Sequence, residues 1–310
     1  MHRLSTMELE QKKNISLRRH SMRRNLRTLL EKKGFVEIPT PHIKPAKIKK
    51  TFIWNKAKCT VRTCMELQLR SALAYGLDSV FEIGSCFREG EKDATHHPEF
   101  QMIETFSRNM SFEELIVLSQ EMLNAAFSRP VTRFRRIDVS QTLQRHDPKL
   151  DLTAPDTALL DYLKDKYPDD QDIQKAKYAY EAMNQHIENV VEKPNSKSGS
   201  VEEPIMFWRY PRCTVCLAKP IDNEAHLIQR VEFFIDGIEV GHGFVDDIDP
   251  NRVKERMLNN GSNHHDADFL QLIMNNLLPE SAGVGFGLER LLMVDANLSD
   301  IHECFHEPCW

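Results

Sequence analysis

The sequence predicts an α+β fold in which an antiparallel sheet is flanked by helices. Residues 81–106 read as two strands joined by a charged loop. Residues 231–247 read as two more strands around a tight Asp236-Gly237 turn. The apolar spacing of residues 6–33 and 111–127 is that of helices. Hairpins of this kind build antiparallel sheets, whose apolar face needs helices to cover it.

Composition narrows the class of protein. The chain has 310 residues, of which 41% are hydrophobic and 28% charged, as in soluble globular proteins. No apolar run approaches the length of a membrane span, and the polar first residues do not resemble a signal peptide. Seven cysteines, an odd number with irregular spacing, favour a reducing compartment. We therefore expect a cytoplasmic protein without a membrane partner.

The N-terminal segment, residues 1–33, is basic and helical. Residues 1–50 hold 14 lysines and arginines against 4 acidic residues, although the whole chain has a net charge of −5. Gly34 follows two lysines and ends the predicted helix at a C′ position. An amphipathic helix with a solvated face is the favoured interpretation, and a surface for nucleic-acid phosphates is the alternative. The predicted apolar face holds Leu17, Met22, Leu26, Leu29 and Leu30, and the arginines elsewhere on the helix are Arg18, Arg19, Arg23, Arg24 and Arg27.

The first hairpin carries residue types that suit a nucleotide. Arg88 lies where the first strand gives way to the loop, and its planar donors match a phosphate or a carboxylate. His96, at the far side of the loop, can meet a second phosphate when its imidazole is protonated. Phe100, just after the turn, can offer a ring face to a base.

The second hairpin places two acids on one face. The Asp236-Gly237 turn predicts that Ile235 pairs with Ile238 and that Phe234 pairs with Glu239. Glu232 then lies diagonally across the ladder from Glu239. Two carboxylates so placed can share a divalent cation, and oxygen ligands favour Mg²⁺. The alternative is an exposed acidic face, in which like charges would repel each other without a counter-ion.

Three ordered motifs resemble those of class II aminoacyl-tRNA synthetases, in the subgroup of the lysyl, asparaginyl and aspartyl enzymes. FRxG…HHPEFxMIE, within residues 87–104, resembles motif 2 with a loop of the lysyl type. GVGFGLERLLMV at 283–294 resembles motif 3, and GFVEIPTP at 34–41 resembles motif 1. The resemblance implies the class II synthetase fold for residues 34–310, with a helical insertion at about 130–205. It also implies a homodimer through the motif 1 region, with Pro41 at its centre.

The same resemblance assigns a nucleotide site that uses ATP and Mg²⁺. Arg88 would bridge the amino acid carboxylate and the α-phosphate, while His96 and Arg290 would bind the phosphate tail. Glu232 and Glu239 would hold Mg²⁺, and Phe100 would contact the adenine ring. The family's acid that meets the adenine amino group is displaced by one position here. Either Glu89 or Glu91 would take its place through a shift of the loop, or backbone groups would recognise adenine.

The resemblance further implies an amino acid pocket. Glu66 would bind the α-amino group, and Glu104 with Asp246 would bind a terminal amine. Asp246 is one methylene shorter than the family's glutamate, and glycines 241 and 243 predict a bulge that turns it onto the site. Other pocket positions are Phe106 and His242, where the family has tyrosine and asparagine, and Gly285. Lysine or a lysine-like amine is the predicted substrate.

The acceptor of the activated amino acid has several candidates. The resemblance to the elongation factor P lysine ligase favours a protein lysine, because some 30 residues before motif 1 cannot supply an anticodon-binding barrel. Gly285 argues against that identity, since the ligase has alanine there. The alternatives are a lysyl- or pyrrolysyl-type tRNA synthetase, a biosynthetic ligase that loads a carrier protein or a small amine, and a catalytically silent regulator that binds ATP or an amino acid.

The C-x-x-C pair Cys213 and Cys216 is predicted to be structural. A zinc site would need a second ligand pair, and a redox site would need a thioredoxin-like setting. The surrounding sequence supplies neither, which favours buried strand cysteines.

Overall fold

The computed structural model describes residues 6–45, 52–54, 57–89, 93–215, 217–259 and 267–305. Its strands are β1 (Val36–Glu37), β2 (Ile43–Pro45), β3 (Phe52–Trp54), β4 (Ala57–Val61), β5 (Ser79–Phe87), β6 (Glu99–Arg108), β7 (Arg135–Asp138), β8 (Ile205–Pro211), β9 (Pro220–Ile221), β10 (Glu224–Ile235), β11 (Ile238–Val245) and β12 (Ser281–Gly287). Its helices are α1 (Thr6–Lys32), α2 (Glu66–Ala74), α3 (Phe112–Ala126), α4 (Val139–His146), α5 (Asp156–Lys166), α6 (Gln171–Lys175), α7 (Ala179–Ile187), α8 (Lys193–Ser196), α9 (Pro250–Asn259), α10 (Ala267–Met274) and α11 (Leu288–Ala296).

Within the described residues, nine strands form one large sheet. Eight of them follow the order β1-β5-β6-β12-β11-β10-β8-β7, and β9 pairs with β10. β1 runs parallel to β5 and β7 parallel to β8, while the strands between them are antiparallel. A smaller sheet has the order β2-β4-β3. The predicted α+β fold, an antiparallel sheet flanked by helices, is confirmed.

Helices α1, α3 and α11 cover one face of the large sheet. A row of strand positions on that face runs across five neighbouring strands and is largely apolar: Ile83, Ile103, Phe286, Gly241 and Phe233. Its side chains are buried in the main core with those of the three helices. Because side chains alternate along a strand, the intervening positions point to the opposite face, where the cavity described below lies.

α1 confirms the predicted N-terminal helix and its end. Gly34 has φ +85, which suits glycine at C′, and Phe35 N–H donates to the Leu30 carbonyl over 3.0 Å. Leu26 and Leu30 are fully buried, as expected of the apolar face. The assignment of Leu17 to that face was wrong, because its side chain is 55% exposed.

The insertion packs against the end of the sheet. α5 and α7 bury Leu163, Ala182 and Met183 in a second core with the strand residues Phe207 and Tyr210. Residues 171–192 do not form one continuous helix, because after α6 Tyr178 is extended and Glu181 completes a cap onto its backbone. After α7 the chain continues as a π-helical turn, Glu188–Glu192. Among the described residues, no helix is long and apolar enough to cross a membrane.

Candidate active site

A cavity of about 660 Å³ lies against the open face of the sheet. Strands β6, β10, β11 and β12 form its floor, and the starts of α2 and α11 border it. The sequence-predicted site residues that line it are Glu66, Arg88, His96, Phe100, Glu232, Glu239, His242, Gly285 and Arg290. Residues from all three parts of the predicted site, for nucleotide, metal and amino acid, are therefore brought to one cavity.

The strand register explains why these residues converge. Glu82, Glu104, Gly285, His242 and Glu232 are successive partners across five neighbouring strands. Paired residues in a sheet share a face. A row of polar side chains, with a glycine in its middle, thus runs along this face of the sheet, and its members Gly285, His242 and Glu232 line the cavity.

The β10–β11 hairpin forms as predicted up to one bulge. Ile235 pairs with Ile238 and Phe234 pairs with Glu239. The register then shifts, so that Phe233 pairs with Gly241 and Val240 is the extra residue. The bulge expected at the two glycines therefore lies just before them, and it brings Glu239 and His242 to the same side of the strand.

Gly241 and Gly243 allow β11 to lie close to the neighbouring strand β12. Gly241 and Gly243 keep a regular register with β12. A Cβ atom on Gly241 would lie 2.4 Å from the carbonyl oxygen of Gly285, closer than a side chain permits. The bulge that these glycines were predicted to mark is present, but its extra residue is Val240, immediately before Gly241.

Arg290, at the start of α11, meets the bulged strand. Its Nη1 donates to the Glu239 carbonyl oxygen over 2.9 Å and lies 3.3 Å from the Glu239 carboxylate. Its Nη2 lies 2.7 Å from Nε2 of His96, and its Nε donates to the Thr95 carbonyl oxygen. The positive charges of Arg290 and His242 hold the pKa of Glu239 below its usual range against the effect of burial, so the carboxylate is ionised.

Arg88 is exposed at the mouth of the cavity. Its guanidinium carbon lies 5.1 Å from the centre of the Phe100 ring, and its backbone N–H donates to the Pro98 carbonyl oxygen over 2.9 Å. Glu89 is also exposed, but it does not line the cavity. Glu91 lies outside the described residues.

Glu232 pairs with an arginine that the sequence analysis missed. Arg230, two positions earlier on β10, lines the same cavity and binds the Glu232 carboxylate. The Arg230 guanidinium carbon also lies 4.4 Å from the centre of the Tyr210 ring. Residues two apart in a strand share a face, but the strand was predicted to begin at residue 231, whereas it begins at Glu224, so Arg230 was left out.

The insertion reaches this part of the cavity. Tyr180 of α7 lines it, and Glu192 in the π-helical turn accepts a hydrogen bond from the Tyr210 hydroxyl over 2.9 Å. Burial, together with the nearby Glu232 carboxylate, raises the pKa of Glu192 to about 9. No local pattern marked either residue, because their places depend on how the insertion packs.

Neither of the two acids predicted to bind the terminal amine, Glu104 and Asp246, lines the cavity. Glu104 accepts the Met65 backbone N–H over 3.0 Å, and burial together with Glu66 raises its pKa to about 8. Asp246 is fully buried and does not line the cavity. Phe106 is 4% exposed and also lies behind the lining residues.

Asp246 is held by groups that the sequence analysis did not identify. Arg70 of α2 places its Nη2 3.0 Å from Asp246 Oδ1, and the Ser281 hydroxyl donates to Oδ2. Burial raises the pKa of Asp246 to about 7, while Arg70 opposes the rise. The α2 residue and the acid are far apart in the chain, so their pairing could not be read from local pattern.

One of the two cysteines of the C-x-x-C pair lies within the described residues. Cys213 is buried in a 3₁₀ turn after β8, and burial raises the pKa of its thiol to about 12. Cys216 lies outside the described residues. Across the part of the chain that is described, no group of three or more histidine, cysteine, aspartate or glutamate side chains is arranged to hold a metal ion.

The fold and the cavity together define a class of protein. The three motifs implied an antiparallel sheet with two arginines at the site. Arg88 lies in the hairpin of β5 and β6, and Arg290 lies at the start of α11, directly after the glycine-rich strand β12. The chain belongs to the family of class II tRNA synthetases (D, K and N), whose match spans residues 2–308.

Curated relatives narrow the subgroup. The chain is similar to the lysine–tRNA ligase of Saccharolobus solfataricus, with 26% identity over 313 residues, 94% of this chain and 63% of the relative. It is 29% identical over 317 residues to the lysine–tRNA ligase of Blochmanniella pennsylvanica, covering 89% of this chain and 59% of the relative. With the enzyme of Acinetobacter baylyi the identity is 26% over 317 residues, covering 91% and 60%. The chain thus spans about three fifths of the length of these relatives.

Proposed function

We propose that the chain activates lysine or a lysine-like amine with ATP, forming an aminoacyl adenylate and pyrophosphate. The observation that carries this proposal is the common cavity lined by Arg88, Glu239, Arg290 and Glu66. The cavity thus holds arginines, which can bind phosphates, together with a glutamate, Glu66, which can bind an amine. The lysine–tRNA ligases among the relatives support the same substrate.

The proposed step needs positioning and charge stabilisation more than proton transfer. The amino acid carboxylate is already ionised and attacks the α-phosphorus, while the bond to the pyrophosphate oxygen breaks. Arg88 would hold the carboxylate against the α-phosphate at the mouth of the cavity. Arg290 and His96, which already lie 2.7 Å apart, would hold the phosphate tail. Glu66 would orient the α-amino group.

Glu232 and Glu239 fit a bound Mg²⁺ ion. Both line the cavity, both offer carboxylate oxygens, and the lowered pKa of Glu239 keeps that group ionised. When bound, the ion supplies charge neutralisation for the phosphates. Arg230 and Arg290, the partners of these two acids, balance their charge in the protein.

We propose tRNA as the acceptor. The similarity to lysine–tRNA ligases supports it better than it supports the protein acceptor favoured from sequence. α1 contributes less to such an interface than its composition suggested. Arg18 binds Asp295, Arg19 binds Glu289, and Arg27 binds Glu37, so three of its arginines already have partners within the chain.

We also propose a homodimer through the motif 1 region. β1 ends the order of the large sheet within the described residues, and the nearby side chains of Val36 and Ile43 are 47% and 42% exposed. A particle of twice the 36.0 kDa chain mass in analytical ultracentrifugation would support it. A monomer at all accessible concentrations would contradict it.

The function is tested by amino-acid-dependent pyrophosphate exchange into ATP. Lysine, β-lysine and ornithine are screened first, and aminoacyl transfer to tRNA and to a protein lysine is then compared. The proposal expects exchange with lysine or a close relative, and transfer to tRNA. Measurable ATP binding without exchange for any amino acid would favour the silent regulator, and transfer to protein alone would overturn the acceptor.

A further inference from the structure

A fully buried arginine joins two of the acids at the amino acid end of the cavity. Arg70 has no exposed surface. Its Nη1 donates to Glu66 Oε1 over 3.2 Å, and its Nη2 lies 3.0 Å from Asp246 Oδ1. Its guanidinium carbon lies 4.4 Å from the centre of the Phe269 ring on α10. The arginine is therefore enclosed by two carboxylates and an aromatic face.

Both oxygens of Asp246 are engaged within the protein. Oδ1 faces Arg70, and Oδ2 accepts the Ser281 hydroxyl. The Asp246 backbone N–H donates to the Ser281 carbonyl oxygen over 2.7 Å, which fixes the position of the residue beside β12. Asp246 is consequently part of the wall and does not face the cavity.

Glu104, like Asp246, does not line the cavity, but it lies directly beside Gly285, which does. One of its oxygens accepts the Met65 N–H, and the other lies 3.8 Å from the point that a Cβ on Gly285 would occupy. Gly285 lines the cavity, and its missing side chain leaves the space in front of Glu104 open. A substrate amine entering along β12 would meet this carboxylate first.

The charges are matched to a diamino acid. Glu66, Glu104 and Asp246 carry three carboxyl groups, and Arg70 offsets one of them. A substrate with an α-ammonium and a terminal ammonium group then has one carboxylate for each, with Arg88 left for its carboxylate. Burying the charges of Arg70 and Asp246 has a considerable desolvation cost, so the pair is weak evidence for a purely stabilising role.

We propose that Arg70 determines specificity by locking Asp246 into the wall, so that Glu104 alone recognises the terminal amine. The inference rests on the proposed activation of a lysine-like amino acid. With one carboxylate in place of two, the pocket should discriminate less strongly between substrates whose side chains end in an ammonium group and substrates whose side chains are apolar.

The test compares lysine with norleucine, which has the same chain without the terminal amine. The measured quantity is the ratio of kcat/KM for lysine to that for norleucine in pyrophosphate exchange, since this ratio is insensitive to a general loss of active enzyme. Arg70→Met releases Asp246 and should raise the ratio about tenfold or more, because the freed carboxyl group becomes a second acceptor that can ionise against the substrate ammonium group. Glu104→Gln should lower it by a similar factor.

The charge-matched double variant Arg70→Met/Asp246→Asn decides the matter even if Arg70→Met does not fold. Our inference expects its ratio to stay within about threefold of the unmodified chain, because the wall stays neutral and Glu104 is untouched. A tenfold fall in the double variant, or an unchanged ratio in a folded Arg70→Met protein, would overturn the inference. An unmodified chain that exchanges neither amino acid nor any other would instead overturn the proposed function itself.

Discussion

Arg290 binds Glu239 through both its backbone and its side chain. Nη1 donates to the carbonyl oxygen over 2.9 Å and lies 3.3 Å from Oε2 of the carboxylate. The contact ties the start of α11 to the bulge in β11. It orients the guanidinium within the cavity before any substrate enters, and such preorganisation is what electrostatic catalysis requires.

Replacing Arg290 with glutamine should reduce kcat/KM for ATP in pyrophosphate exchange by about 10²–10³. The charge beside the phosphate tail is lost, together with the contacts to Glu239 and His96. The matched control is Arg136→Gln, because Arg136 is a half-exposed arginine paired with Glu113 far from the cavity. Equal losses in the two variants would contradict the role given to Arg290.

The affinity for a lysine-like substrate should increase with pH up to about 8. Burial raises the pKa of Glu104 to about 8, so the neutral acid predominates below that pH. Binding an ammonium group requires the carboxylate and therefore releases a proton, while the amine itself stays charged up to about pH 10. KM for lysine should fall by nearly tenfold between pH 6.5 and about 7.5.

Glu104→Gln is the control for this pH dependence. Glutamine cannot titrate, so its KM for lysine should be high and nearly independent of pH. The KM for ATP in the unmodified chain, measured over the same range, separates the effect from a general response to pH. A flat lysine profile in the unmodified chain would exclude Glu104 as the amine-binding acid.

Glu232→Gln and Glu239→Gln should each raise the Mg²⁺ concentration for half-maximal exchange by about tenfold or more. Each variant removes a carboxylate from the proposed ion site. Chelation of the metal should abolish exchange, and added Mg²⁺ should restore it. Glu203→Gln is the comparison, since Glu203 is an acid paired with Arg133 at the surface. Unaltered Mg²⁺ dependence in both test variants would remove the metal assignment.

The Arg62–Glu82 pair should matter for stability. Nη1 of Arg62 lies 2.7 Å from Glu82 Oε1, and their side chains are 1% and 6% exposed. Arg62→Met leaves a buried carboxylate without its partner and should lower the free energy of unfolding by about 3–5 kcal/mol in urea titration. Arg62→Met/Glu82→Gln should recover a large part of that loss. A single variant within about 1 kcal/mol of the unmodified chain would show that the charge is solvated after all.

Local sequence patterns predicted the elements well. The Asp236-Gly237 turn fixed two strand pairs of its hairpin, because both residues adopt positive φ, at 50 and 82. The capping box of Ser111 and Glu114 at the start of α3 is present. Both patterns depend on residues close in the chain, where backbone geometry follows directly from residue type.

The contacts that shape the cavity were harder to predict. Arg70 meets Asp246 only because α2 packs beside the end of β11, and Glu192 reaches Tyr210 only because the insertion folds back on β8. Neither pairing leaves a periodic or spacing signal. The three motifs predicted several of the residues that line the cavity, but the salt bridges around it depend on packing between distant segments.

The hydrogen bond from Tyr210 to Glu192 limits how far the chain between β7 and β8 can be shortened. Shortening the chain between β7 and β8 would strip the cover from Phe207 and Tyr210, and it would open a side entrance for water next to Arg230. This segment, to which no predicted site residue belongs, therefore contributes to the wall of the cavity. A version that kept only the three motifs would expose the cavity to water and would lose part of the second core.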